Sequence, residues 1–382
     1  MFDGLEIDML SLGDADCIVV THWSARLGAQ RILIDGGNAS DFPAIKGFLL
    51  SRGMKDFWAV VCTHLHGDHA GGLIRLVQDT SFTFQTGWMH DIRNHLSSDA
   101  LRRACAGNSP QVDGVREVRD NTKALASAFE GRGLQPQEPF AGSPIAGFPA
   151  MTVLGPDASF YKQTIEEFTK VEVPGLAAML QMLAGGGPGR SVPLSSLYAP
   201  VAPAAPYANL YAPATVPSNP WLSSFAGVLK NSSVEESPST QPYNNTSVIL
   251  GVVFNGQRFM FTADAGRDAL DRVPPEWRNL QGMQIPHHGS DGNLSQTNVE
   301  RFCPKIALIS ARGSTDHPSR AIVNGLIKVG AQVCSTHSNP GHLWYWSGAV
   351  PARPDYGQPV LLKGTSNRVA PSLGWLDSLP AR

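Results

Sequence analysis

The chain has 382 residues, of which 42% are apolar and 16% are charged. The charged fraction is below the typical quarter, so we expect a well-buried core in one large or two ordinary domains. A formal net charge of −2 provides no global basic field, so any nucleic acid would have to be held by metal ions and local cations.

The cysteines and the N-terminus indicate the compartment. The five cysteines are dispersed without a CxxC pair, which favours free thiols in a reducing environment. The first ten residues, MFDGLEIDML, carry acids where a signal peptide has a basic patch, and no apolar run reaches the ~18 residues of a membrane span. We therefore expect a cytoplasmic protein.

The first fifty residues predict the edge of a hairpin-rich sheet and then a helix. Alternating or continuous apolar residues predict strands over 5–12, 17–21 and 31–34, and helical spacing with Pro43 in the first turn predicts a helix over 41–53. Asp35 ends the third strand, where its carboxylate would orient metal-binding histidines; the alternative is a simple turn residue.

The densest group of metal-binding side chains follows the next strand. Residues 57–61 are apolar and predict a buried strand, and His64, His66, Asp68 and His69 come directly after it. Imidazole and carboxylate are the usual protein ligands of Zn, Mn and Fe. In an extended segment alternate side chains share a direction, so we expect His64, His66 and Asp68 to converge while His69 faces a second point. The spacing predicts two neighbouring metal ions.

This pattern, His-x-His-x-Asp-His after a hydrophobic strand, resembles the signature of the metallo-β-lactamase superfamily. The resemblance implies an α/β (α+β) fold, the four-layer αββα sandwich, and metal-dependent chemistry. Members act on β-lactams, thioesters, phosphodiesters, lactones or nitric oxide, so the resemblance does not name a substrate.

Flanking segments resemble one branch of that superfamily, typified by the soluble domain of the competence protein ComEC. LSLGDADCIVV followed by LIDGG resembles the start of that domain, where Asp16 matches the aspartate of a Gly-x-Gly-Asp turn. The match implies that Asp16 faces the metal cleft and supports the ligands, the alternative being a plain turn residue. Ala15 departs from the glycine of the pattern.

The middle of the chain predicts strands over 82–88 and 150–154 and helices over 96–106, 115–132 and 164–184. Many superfamily members place the third ligand of their first metal after the strand that corresponds to 82–88. The resemblance therefore implies His90 as a metal ligand, with His95 as the alternative and a surface histidine as the competing interpretation.

A Pro/Ala/Gly-rich stretch at about 160–241 interrupts the predicted domain. Its composition is typical of a flexible insertion. The alternative is a lid on which Tyr198, Tyr207, Tyr211 and Trp221 stack substrate rings. We expect a single domain over 1–350 with this insertion, and a C-terminal extension over 351–382.

The second half predicts a hairpin around Asn255-Gly256, a helix over 319–330 and strands over 305–310 and 332–336. The hairpin ends at Asp264, where the superfamily has the carboxylate that bridges its two metals; a helix N-cap is the alternative. GMQIPHHGS at 282–290 resembles a signature of the ComEC-like branch and implies His287 as the last metal ligand. His288 is then a second ligand, a phosphate contact or a proton donor, and His317 a phosphate contact or general acid.

Together these residues predict a hydrolase that uses a hydroxide held between two divalent metals, with zinc as first choice and Mn or Fe as alternatives. Asp68, His288 and His317 are the expected catalytic residues. The main hypothesis is a phosphodiesterase or nuclease acting on DNA, RNA or a nucleotide. The second is a lactone, β-lactam or thioester hydrolase, and the third a non-catalytic nucleotide-sensing or interaction protein.

Overall fold

A period of two along the first strand sets the layers of the fold. In β1 (Asp3–Leu10), Leu5, Ile7 and Met9 enter the core between the two sheets, whereas Leu10 belongs to a second core on the opposite face. The computed structural model describes residues 3–145, 148, 151–170, 240–314, 316–339, 341–357, 359–363 and 366–371. All of these belong to one compact unit.

The first sheet has the strand order β12-β1-β2-β3-β4-β5. Its pairs are antiparallel from β12 to β3 and parallel from β3 to β5. Its further strands are β2 (Ile18–Ser24), β3 (Gly28–Ile34), β4 (Asp56–Val61), β5 (Thr83–Trp88) and β12 (His342–Ala349).

The second sheet has the order β14-β13-β11-β10-β9-β8-β7-β6, with parallel pairing from β8 to β11. Its strands are β6 (Met151–Gly155), β7 (Ile249–Phe254), β8 (Gln257–Phe261), β9 (Gly282–Gln284), β10 (Ile306–Ile309), β11 (Gln332–Ser335), β13 (Val360–Lys363) and β14 (Ser366–Pro371).

Helices cover the outer face of each sheet. On the first sheet these are α1 (Phe42–Ser51), α2 (Gly67–Gln78), α3 (Ser98–Ala104), α4 (Pro110–Gly131) and α5 (Ala158–Phe168). On the second they are α6 (Arg267–Asp271), α7 (Gln296–Phe302) and α8 (Arg320–Lys328). Three apolar cores separate the four layers, so the predicted αββα sandwich is confirmed.

Several predicted elements differ from the structure at their ends. The helix expected over 164–184 ends at Phe168 in α5, and residues 171–239 lie outside the described residues, together with the proposed stacking residues Tyr198, Tyr207, Tyr211 and Trp221. No prediction anticipated α7 or β12. The segment expected to be a C-terminal extension contributes β13, which pairs with β11. The domain boundaries stay a prediction.

None of the helices in the described part of the chain combines the length and the apolar character that a membrane crossing requires.

Two acidic side chains on the outer face of β1 are completely buried. Glu6 accepts hydrogen bonds of 2.8 Å from the indole of Trp23 and from two guanidinium nitrogens of Arg353. Neither oxygen of Asp8 has a hydrogen-bond partner among the described residues, and Nε2 of His342 lies 3.7 Å from its Oδ1. Burial and the neighbouring Glu6 raise the pKa of Asp8 to about 8, against the opposing effects of Tyr356, Arg353 and Arg52.

We expect Asp8→Asn to flatten the pH dependence of stability between pH 6.5 and 8. The folded chain keeps a proton on Asp8 that the unfolded chain releases above 3.8, so this stabilisation is complete below the unfolded pKa and is lost as pH rises towards about 8. Burial lowers the pKa of His342 to about 4, so its opposite contribution lies below pH 6.5. One proton corresponds to at most ~1.4 kcal/mol per pH unit.

Urea denaturation at pH 6.5 and pH 8 measures the difference. Asp3→Asn, an exposed position on the same strand, is the matched control and should keep the slope of the unaltered chain. If Asp8→Asn loses as much stability over this range as the unaltered chain, Asp8 is not protonated in the folded state.

Candidate metal centre

Strand ends from both sheets meet at one edge of the sandwich and carry the polar side chains of the candidate site. The first sheet contributes the segment after β4, and the second sheet contributes the segments after β8 and β9. The residues brought together are His64, His66, Asp68, His69, Asp264, His287 and His288, with Asp16 and Asp35 behind them.

The described residues hold three groups of potential ligand atoms, one of them Asp16, Asp35 and His69, and the other two share one carboxylate. Asp68, His69, Asp264 and His288 form one group, and His64 and His66 form the other with the same Asp264; within each group the atoms lie within 4.8 Å of one another. Oδ1 of Asp264 is 3.3 Å from Nε2 of His69, and its Oδ2 is 3.6 Å from Nε2 of His64. One carboxylate therefore faces both groups, as a bridging ligand would.

The direction of Asp68 corrects the expectation of an extended segment. Helix α2 begins at Gly67, directly after His66, so Asp68 and His69 lie in its first turn. Side chains along a helix turn by about 100° per residue, so Asp68 does not share a direction with His64 and His66 as it would in a strand. Asp68 joins His69 and His288 instead.

Asp35 fixes the direction of His69. Its Oδ2 accepts a hydrogen bond of 2.8 Å from Nδ1 of His69, and it also accepts hydrogen bonds from the backbone N–H and hydroxyl of Thr63. With Nδ1 occupied, Nε2 of His69 faces Asp264. This carboxylate–histidine pair is the arrangement that supports metal-binding histidines.

The two adjacent histidines of the His-His-Gly-Ser segment face different surroundings. His288 is buried, its Nδ1 donates to the Ser310 carbonyl at 2.9 Å, and its Nε2 lies 3.6 Å from Oδ2 of Asp68. The His287 side chain is 30% exposed, and its Nε2 is 3.7 Å from Oδ2 of Asp264. The geometry thus favours His288 as the ligand in the group with Asp68, where the sequence had favoured His287.

Buried atoms without partners show that the site fits cations. Nε2 of His69, Nε2 of His288, Oδ1 of Asp264 and Oδ1 of Asp16 have no hydrogen-bond partner among the described residues. A buried polar atom without a partner costs about 1–3 kcal/mol, more if it is charged. All four are nitrogen or carboxylate oxygen donors, which divalent metals bind well.

The pKa values show an excess of negative charge at the site. Burial opposes protonation of His69, yet the carboxylates of Asp264, Asp68 and Asp35 raise its pKa well above the ordinary value. Against the same opposition, Asp68, Asp264 and Asp16 raise the pKa of His288 to about 9. Burial and His69 instead lower the pKa of His64 well below its ordinary value. Bound divalent cations would satisfy the carboxylates that otherwise attract protons to these imidazoles.

A family comparison agrees with this geometry. Residues 12–89, which include Asp16, Asp35 and the His64–His69 segment, match the model of the metallo-beta-lactamase superfamily. Over this stretch the chain resembles the metallo-β-lactamase superfamily. The chain is also 26% identical over 108 residues to the ComE operon protein 3 of Bacillus subtilis (strain 168). That match covers 27% of this chain and 14% of the relative.

A solved structure, the long form RNase Z from yeast, aligns with 87% of this chain and with 40% of its own length. The TM-score is 0.36 and the sequence identity 10%.

His90 lies outside both groups. Its ring centroid is 4.2 Å from that of Tyr161 and 4.7 Å from that of Phe140. Burial lowers its pKa to about 3. The alternative, His95, pairs through Nε2 with Glu138 at 2.8 Å. The structure brings neither histidine into the two groups, and the ligand role of His90 stays a prediction.

His317 stands beside the site. Its Nδ1 is 3.8 Å from Oδ1 of Asp14, and its ring centroid is 5.5 Å from that of His287 and 5.9 Å from that of His288. Burial, together with His288 and His287, lowers its pKa. It therefore lies close enough to contact a molecule bound over His287.

A cleft of about 430 Å³ opens at the two groups. His66, Asp68, Asp264 and His287 line it from the metal side, and Asn244, Ser290 and Asn293 add polar atoms. Such a cleft can hold a polar substrate directly against the ligand atoms.

Two buried side-chain amides, Gln284 and Asn293, hold the candidate ligands in place. Neither amide was predicted from the sequence. Oε1 of Gln284 accepts hydrogen bonds of 3.0 Å from the N–H groups of Thr262 and Ala263, and its Nε2 donates to Oδ2 of Asp16 at 2.5 Å. Asn293 lies beyond the signature: its Oδ1 is 2.9 Å from Nδ1 of His287, and its Nδ2 donates to the Asp264 carbonyl. Gln284 lies inside GMQIPHHGS, but only the folded sheet shows what its amide contacts.

We expect Gln284→Leu to weaken divalent cation binding by about 10–100-fold, the usual effect of losing a group that supports metal ligands. The change also removes the acceptor of two buried N–H groups just before Asp264, so the free energy of unfolding should fall by about 1–3 kcal/mol. Isothermal titration with Zn²⁺ and urea denaturation measure the two effects.

Gln281→Leu is the matched control, because Gln281 is also buried and its amide donates to the Tyr345 hydroxyl away from the site. It should lower stability without changing the affinity for Zn²⁺. Equal affinities in the Gln284→Leu and Gln281→Leu variants would show that Gln284 has only a structural role.

Proposed function

We propose that this chain is a metal-dependent hydrolase that cleaves phosphodiester bonds with two divalent cations. The observation that carries the proposal is the position of Asp264, whose two oxygens face two separate groups of ligand atoms. Cations held by these two groups would share the Asp264 carboxylate, as in two-metal sites that catalyse phosphoryl transfer. The His-His-Gly-Ser segment, which resembles the ComEC-like branch, favours a phosphodiester over a lactone, β-lactam or thioester.

Each of the two groups of ligand atoms that share Asp264 would hold one cation. His64, His66 and Asp264 would hold one cation, and Asp68, His69, His288 and Asp264 the other, with zinc, manganese or iron all compatible with these donors. When bound, the cations would supply an activated water nucleophile and polarise the scissile group. Asp35 and Ser310 hold the two buried imidazoles with Nε2 towards the ligand atoms.

His287 and His317 are placed to contact the substrate. Nδ2 of Asn293 donates to the Asp264 carbonyl, so its Oδ1 must accept from Nδ1 of His287. His287 can therefore present Nε2 to the cleft, where its doubly protonated ring would donate a hydrogen bond to a phosphate oxygen. His317, whose ring centroid is 5.5 Å from that of His287, would carry the proton to the leaving oxygen.

Asp68→Ala is expected to reduce hydrolysis of bis-p-nitrophenyl phosphate by at least about 100-fold, because it removes a ligand atom from one of the two groups. The assay uses protein loaded with Zn²⁺ or Mn²⁺, and elemental analysis should find two ions per chain before the change and fewer after it. Asp56→Asn, an exposed aspartate, is the control and should behave as the unaltered chain.

Undiminished turnover by Asp68→Ala would refute the proposal. If the chain hydrolyses nitrocefin or a lactone but does not hydrolyse the diester, it is a β-lactam, lactone or thioester hydrolase and not a phosphodiesterase.

The adjacent histidines provide a sharper test of the assigned roles. We expect His288→Ala to lower the metal content of the purified protein, because Nε2 of His288 belongs to the group with Asp68. His287→Ala should keep the metal content and lower the rate, because its ring faces the cleft. If His287→Ala loses metal and His288→Ala keeps it, the two roles must be exchanged.

A further inference from the structure

A groove between the short 3₁₀ turn Ile92–Asn94, α3 and α4 lies outside the candidate metal centre. Its volume is about 530 Å³. Four of the eight residues that line it are cationic and none is acidic; the cations are Arg93, Arg102, Arg119 and Lys123. Since the whole chain has a net charge of −2, this cationic group does not follow from a basic composition.

Three aspartates pair with the arginines from outside the lining. Asp91 contacts Arg93 at 2.5 Å, Asp99 contacts Arg102 at 2.7 Å and Asp120 contacts Arg119 at 2.8 Å. The Asp99–Arg102 pair is highly exposed, with side chains 69% and 77% accessible. Exposed ion pairs contribute only about 0–1 kcal/mol, whereas guanidinium binds phosphate through two parallel hydrogen bonds. Phosphate groups can therefore compete for Arg102.

The floor of the groove is apolar. Leu96, Leu101 and Cys105 line it between the cations. A ligand that matches both features carries repeated negative charge and an apolar face. A single-stranded nucleic acid has both, in its phosphates and in the faces of its unpaired bases.

Helix α4 connects this groove to the metal-binding segment. Oε1 of Glu117 accepts a hydrogen bond of 2.9 Å from the N–H of Gly67, and Nδ2 of Asn121 donates to the Leu65 carbonyl at 2.9 Å. Arg119 lies between these two positions in the helix, and Lys123 follows them. An α-helix with side chains is about 10–12 Å across, so the groove lies roughly one helix diameter from the His64–His69 segment.

We propose that this groove binds the phosphodiester backbone of a single-stranded nucleic acid whose scissile bond lies at the metal centre. The inference rests on the proposed phosphodiesterase function and names a substrate class for it. Arg93, Arg102, Arg119 and Lys123 contact phosphates, and Leu96 and Leu101 contact bases.

The test measures binding of a fluorescein-labelled 20-nucleotide phosphorothioate oligo(dT) to the full, metal-loaded chain by fluorescence anisotropy at several salt concentrations. The double variant Arg102→Glu/Lys123→Glu should raise the Kd at least about tenfold. Its salt dependence should fall by about 1.4 in the slope of log Kd against log salt, since each single-strand phosphate contact contributes about 0.7. The milder Arg102→Gln/Lys123→Gln variant should change both quantities in the same direction and serves if the first fails to fold.

The matched control is Lys55→Glu/Arg278→Glu, which alters the net charge equally at two exposed positions outside the groove. It should bind the oligonucleotide nearly as the unaltered chain does. If groove and control variants bind equally, whether both tightly or both weakly, the proposal is overturned.

Turnover of bis-p-nitrophenyl phosphate by the unaltered chain separates this proposal from the function it rests on. A chain that hydrolyses the small diester but binds oligonucleotide independently of the groove overturns the groove alone. A chain that binds oligonucleotide through the groove but hydrolyses no diester keeps the groove as a nucleic-acid site and overturns the phosphodiesterase.

Discussion

The carboxylate of Asp264 is the constraint on which the rest of the site depends. It is 1% exposed and is surrounded by imidazoles from both sheets, so it cannot rely on water to solvate its charge. A buried carboxylate is tolerated only when cations or hydrogen bonds balance it. His64 and His69 come from the first sheet and His287 from the second, so the balance exists only when the two sheets pack together. The candidate metal centre is therefore a product of the sandwich and not of either half.

The backbone is strained at several residues in and next to the candidate site. Asp35, Ala263, His287 and His288 all have φ between 47° and 57°, in the left-handed region that non-glycine residues rarely adopt. Each such residue costs about 1 kcal/mol or more, which the surrounding hydrogen bonds must offset. At position 263 a glycine would adopt the same positive φ without this cost. Ala15, which departs from the glycine of the branch pattern, adopts no such φ.

Local sequence was enough to predict the layers and most of the elements, because the apolar periods are clear and the signature motif is dense. The local sequence could not predict which of two adjacent side chains joins which group of ligand atoms. The predicted direction of the Asp68 side chain was wrong because helix α2 starts one residue before it. The directions of the His287 and His288 side chains depend on two successive residues with left-handed backbone conformation. The contacts of Gln284 cross from one sheet to the other, over a separation of 268 residues to Asp16, and no local pattern reports such a contact.

Helix α4 shows how the groove and the metal segment can act as one surface. Its Glu117 and Asn121 are hydrogen-bonded to the backbone of Gly67 and Leu65, on either side of His66. Arg119, between them in sequence, faces the groove instead. A nucleic acid bound as proposed by Arg119 and Lys123 would thus be held by the same helix that contacts the loop carrying His64 and His66. Because one helix sets both positions, the fold would fix the distance from the bound phosphates to the reacting phosphate.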